Sequence, residues 1–155
     1  MIAIRNLQGR IRLPRGDVER LVRTVLRGEG APALRLSIVF VGSGRIRAIN
    51  RRFLGRDRTT DVIAFALGGP SRAAGVDGEV VVSADRAVLE ARRRGIAVRE
   101  ELLRYVVHGV LHLLGHDDRT PALRKLMWAK QEAYLRKAWP GSAAARTRAR
   151  RARSK

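Results

Sequence analysis

The stretch Leu102-Leu-Arg-Tyr-Val-Val-His-Gly-Val-Leu-His-Leu-Leu-Gly-His-Asp-Asp118 decides how the rest of the chain is read. Leu102, Leu103, Val106, Val107, Val110, Leu111 and Leu114 recur at helical spacing, so a helix starting near Val98 is expected to bury this face in a core. Gly115 is the residue type that tolerates the left-handed C′ position, and the helix is expected to stop there. His108 and His112 stand at i and i+4. Four residues at about 100° each turn a helix by about 400°, so the two imidazoles lie one turn apart on the same side. Both can then reach one ion through bonds of about 2.0–2.1 Å.

Two ligands do not close a metal site. The turn at Gly115 can bring Asp118 back to the ion, which gives the pattern H-x3-H-x2-G-x2-D. His116 is the alternative third ligand, and Asp117 is placed to orient a ligand histidine from behind. All 3 histidines of the chain fall within this segment, which scattered core or surface histidines would not do. There is no cysteine, so a thiolate site and a disulfide framework are both excluded. Two histidines and a carboxylate suit zinc, and three protein ligands leave a fourth position open, as in catalytic sites.

Working outward, Asp17 to Arg27 carries Val18, Leu21, Val22, Val25 and Leu26 as one helical stripe. Leu34 to Val41 alternates as a strand. Ser43 is placed to cap a short helix with Ile46, Ile49 and Phe53 on its apolar face. Asp61 to Phe65 and Gly78 to Ser83 read as two more strands, joined by a Gly- and Ala-rich, flexible connection. Asp85 to Arg94 is helical by composition, and Thr120 caps a last helix that Pro140 bounds. Trp128 and Tyr134 on that helix are expected in the core. This order of elements predicts an α+β domain over residues 1–139, a small mixed sheet of about four strands covered by helices. Residues 140–155 read as a basic, disordered tail.

The chain has 33 Lys plus Arg against 14 Asp plus Glu, a net charge of +19. The last 20 residues hold eight basic and no acidic residues, which leaves +11 on the rest. The folded part is therefore basic in its own right, and a polyanion such as nucleic acid is the expected partner. With only seven Phe, Trp and Tyr, backbone electrostatics should dominate that binding. No run approaches the length of a membrane span and the N-terminus lacks a signal-peptide pattern, so a cytoplasmic protein is expected. Nothing in the sequence sets the oligomeric state; a monomer is the default.

The segment His108-Gly-Val-Leu-His-Leu-Leu-Gly-His-Asp-Asp118 resembles the helix motif H-G-x-L-H-L-x-G-[YH]-D-H of the YbeY family at all but its last position. Asp57 with Thr60-Asp-Val-Ile-Ala-Phe65 is similar to the family's D-x-x-T-[DN]-V-L-S-F segment, and Gly78-Glu-Val-Val-Val-Ser83 to its G-[DE]-I-x-I-S strand. The order and spacing agree from about residue 34 to 128. The resemblance implies a mixed sheet with the metal-binding helix in the core, a zincin-like site and one Zn2+ per chain. It also implies cleavage of single-stranded RNA in trimming the 3′ end of 16S rRNA and in ribosome quality control, with the small ribosomal subunit as partner.

Two positions depart from the family. Asp118 stands where the family has a third histidine, and Leu54 stands where it has an arginine after an aromatic. Arg56, two residues on, is the candidate to neutralise charge on the phosphate in its place. Gly109 follows His108 where zinc peptidases of the H-E-x-x-H kind carry their acid, which argues against peptidase chemistry. Asp61 and Glu79 are strand-end carboxylates best read as caps or surface charges. The competing reading is an RNA-binding ribosome assembly factor with a structural zinc and weak or lost nuclease activity.

Overall fold

The computed structural model describes residues 1–68 and 75–141. Most of the expected flexible connection and of the expected tail therefore lie outside the described residues. The elements run β1 (Ile2–Asn6), α1 (Arg15–Gly28), β2 (Ala33–Val41), α2 (Ser43–Leu54), β3 (Val62–Ala66), β4 (Val76–Ser83), α3 (Ala84–Arg94), α4 (Val98–Leu113) and α5 (Pro121–Ala138). The four strands form one mixed sheet in the order β1-β2-β4-β3, which bears out the expected α+β class. β1 and β2 pair in parallel, as do β2 and β4, while β3 runs antiparallel to β4.

β1 was not foreseen as a strand. Its signal is only Ile2 and Ile4 alternating with exposed residues, too short to stand out, and pairing with Leu36 and Ile38 of β2 is what makes it a strand. α1 buries the five residues of the predicted stripe. One face of the sheet packs on α1, α4 and α5, burying Leu36, Ile38, Phe40, Val80 and Val82 against Leu102, Val106, Val110 and Leu135. The other face carries a smaller cluster, Val39, Val41, Ile46, Ile63 and Val81, partly covered by α2.

Three local expectations are corrected. The cap of α2 is supplied from a distant element: the Ser43 N–H donates to Asp85 Oδ2 at 2.6 Å, and Gly42, not Ser43, is the N-cap. A carboxylate across the fold outcompetes the hydroxyl that the sequence offers. Phe53 does not belong to the buried face of α2 and is exposed, edge-on to Phe65. Trp128 is 47% exposed rather than in the core, while Tyr134 packs against it.

α4 lies at the centre. All its residues from Glu100 to Val107 are buried, charges included. The Arg104 guanidinium donates to both carboxylate oxygens of Glu132 in α5, at 2.6 and 3.1 Å, and to Glu101 at 2.9 Å. Burial opposes the charge on Arg104, but these hydrogen bonds and the neighbouring acids prevail and raise its pKa further.

Candidate metal centre

Gly109 sets how closely α4 can approach the sheet. A Cβ at this position would stand 2.3 Å from Val80 Cγ1 and 3.0 Å from Val62 Cγ2, so any side chain would push the helix off β3 and β4. Hence the glycine between the two histidines: it lets the backbone seat against the strands while His108 and His112 project from the helix above them. The helix then closes as expected. Gly115 adopts φ +90°, its N–H donates to His112 O at 3.0 Å, and the His116 N–H donates to Leu111 O at 3.0 Å. This paired closure is a Schellman turn, and it reverses the chain toward the histidines.

The reversal delivers Asp118. Its Oδ2 lies 3.4 Å from His108 Nε2 and 3.3 Å from His112 Nε2, and the two Nε2 atoms are 2.9 Å apart. Ligand atoms at about 2.0–2.1 Å from a tetrahedral ion stand about 3.3 Å from one another. The three atoms thus have the spacing that one such ion requires, and these residues form a group that could hold a metal. The side chains are 26%, 31% and 34% exposed, so the group is open to solvent on one side.

His108 is oriented from behind. Its Nδ1 faces Gln131 Oε1 at 2.8 Å, and that buried carbonyl oxygen can only accept. The proton therefore sits on Nδ1 and the lone pair on Nε2, the tautomer that ligates through Nε2. Asp117 does not have this orienting role: its carboxylate accepts from the backbone and side chain of Arg119. Those bonds hold its pKa below the usual carboxylate range.

His116 is likewise turned away from the group. It donates from Nε2 to Glu29 Oε2 at 3.1 Å, while Lys130 and Tyr134 donate to Oε1, each at 2.9 Å. Burial pushes the Glu29 carboxyl up, but these three hydrogen bonds outweigh it and hold the pKa at about 2. The cluster ties the end of α1 and the face of α5 to the loop that carries Asp118. Gly28 makes room for it, since a Cβ there would stand 2.5 Å from the Tyr134 ring.

Two cavities flank the triad. The first, about 640 Å³, is lined by His112 together with Leu54, Arg56, Arg58, Asp61 and Arg86. Gly55, at φ +67°, turns the chain out of α2 and lets Arg56 reach this cavity beside Leu54. The second, about 400 Å³, begins at His108 and Asp118 and runs toward Tyr105, Met127 and Trp128. Asp61 and Arg86 line both. Asp61 accepts from the Val62 N–H, so it is the cap expected at the strand end, and it also stands beside the triad.

Sequence reasoning did not single out Arg58, Arg86, Gln131 or Glu29. Gln131 is 23 residues from His108 and Glu29 is 87 from His116. No local spacing relates such pairs.

The family model described as Endoribonuclease YbeY matches residues 3–138. The chain belongs to the YbeY endoribonuclease family. A relative from Chlorobium phaeovibrioides with that name is 40% identical over 124 residues, covering 80% of this chain and 82% of its own. Another YbeY, from an Anaeromyxobacter species, is 43% identical over 130 residues, with 81% and 67% covered. The solution structure of a Thermotoga maritima protein shares the fold with a TM-score of 0.65 at 29% identity, over 90% of each chain. No helix among the described residues is long and apolar enough to cross a membrane.

Proposed function

We propose that this chain is a zinc-dependent endoribonuclease acting on single-stranded RNA, with His108, His112 and Asp118 as the metal ligands. The observation that carries this reading is the spacing of the three ligand atoms, open on one side, at the wall of an arginine-lined cavity. A zinc ion bound there supplies Lewis acidity to a phosphoryl oxygen or to an attacking water. Gln131 keeps the His108 lone pair pointed at the group, and the Glu29 cluster holds the loop that presents Asp118. Arg56, with Arg58, lines the adjoining cavity and neutralises charge that builds on the phosphate.

The likeness to YbeY proteins and the basic charge support rRNA as the substrate, in 3′-end maturation of 16S rRNA on the small ribosomal subunit and in ribosome quality control, in the cytoplasm. A structural zinc in an assembly factor with little activity fits less well, because structural sites are closed by four protein ligands and this group offers three. The test is His112→Ala. Zinc content and cleavage of single-stranded rRNA should fall together to background, and cleavage by the metal-free variant would sink the reading.

A further inference from the structure

The geometry points to the second cavity as a base-binding subsite, which takes one carbonyl-bearing nucleobase of the RNA strand whose phosphate lies at the triad. This rests on the endoribonuclease reading. The cavity starts at His108 and Asp118, so a nucleotide seated at the triad has one neighbouring space in which to place its base and another for its backbone.

Charge separates the two spaces. Four arginines line the second cavity, but so do four acids, and its buried Arg104 is already engaged by Glu132 and Glu101. A phosphate gains little in such a balanced wall. A base suits it better: it is flat, uncharged and polar only at its edge. Met127 and the half-exposed Trp128 supply an apolar wall; the Arg94 and Arg104 guanidiniums each lie 5.4 Å from the Trp128 ring centre, and a base would stack on the exposed remainder of the ring. The volume of about 400 Å³ lies in the range of small-ligand pockets.

Two wall residues offer the polar edge. Among the described residues, the Tyr105 hydroxyl and Arg86 Nε are buried and have no hydrogen-bond partner. Buried polar atoms are nearly always paired, so two unpaired ones on the wall of one cavity mark a place where a ligand completes the set. Arg86 Nε can only donate, and the Tyr105 hydroxyl can donate or accept. Ring carbonyls, as in uracil, answer both. Adenine has none.

The test uses the full chain with Trp139→Phe, which leaves Trp128 as its one tryptophan of the 2. Its fluorescence is titrated with uridine 5′-monophosphate, adenosine 5′-monophosphate and ribose 5-phosphate. The uridine nucleotide should quench it and bind about tenfold more tightly than either of the others. Adding Tyr105→Phe, which keeps the ring, should remove that advantage and leave ribose 5-phosphate binding and Tm unchanged. Equal binding of uridine monophosphate and ribose 5-phosphate, or an undiminished uridine preference in Tyr105→Phe, overturns the proposal. The titration needs no cleavage, so a chain that binds uridine monophosphate but does not cut RNA overturns the endoribonuclease reading alone.

Discussion

The two cavities beside the His108–His112–Asp118 group differ in how their arginines are held. In the first, Arg56 and Arg58 have no carboxylate partner among the described residues, and Asp61 is the one acid on its wall. In the second, three of the four arginines meet carboxylates: Arg94 meets Glu101 at 2.7 Å, Arg104 meets Glu101 and Glu132, and Arg86 meets Glu90 at 3.5 Å, while Arg124 donates to the Asp118 and Arg119 carbonyls. The same residue type thus does two jobs. Unpaired and solvated, it leaves a field that attracts phosphate; paired, and in Arg104 also buried between α4 and α5, it contributes little to the field. A net charge of +19 does not by itself reveal this division.

The contrast is broken most forcefully through Arg104. Arg104→Ala leaves Glu101 and Glu132 buried and without their shared cation, which should cost about 3–5 kcal/mol in urea unfolding. A loss under about 1 kcal/mol would show that the second set of arginines is not structural either. Arg58→Ala should do the opposite. Its stability should stay within about 0.5 kcal/mol of the parent, while the salt dependence of RNA binding loses about 0.7 of a log unit in slope. An unchanged slope would place the phosphate elsewhere.

The last effect concerns the tether behind the loop and disappears in acid. The folded pKa of Glu29 lies below its ordinary value of 4.5, at about 2, so its contribution is fully present above pH 4.5. It is lost as pH falls from there toward 2. Glu29→Gln should therefore be less stable than the parent at pH 6, with the gap closing between about pH 5 and 2. A gap that is constant with pH would mean that the carboxylate charge is not what holds His116.

Much of this was legible in the sequence because it is local. The helix from Val98, its stop at Gly115, the cap at Thr120 and the stripe of α1 all follow from spacing within one or two turns. The triad was legible for the same reason, since His108, His112 and Asp118 are separated only by a helical turn and a glycine reversal. What escaped notice depends on contacts across the chain. Asp85 caps α2 from 42 residues away, β1 becomes a strand only against β2, and Gln131 meets His108 through the packing of α5 on α4. Trp128 was misplaced because an aromatic on a helix reads as core unless the neighbouring helix is known to leave a gap there.

The Arg104 fork also has a bearing on α4 itself. A helix that is buried almost all round takes its rotational setting less from its apolar side chains, which pack without strong direction, than from the few contacts that have one. A planar guanidinium that engages both oxygens of Glu132 permits one setting, since turning the helix by a residue would strand both charges in the interior. Arg104 lies one turn before His108 on the same helix. It acts as an index pin, fixing the azimuth at which the two imidazoles leave the helix.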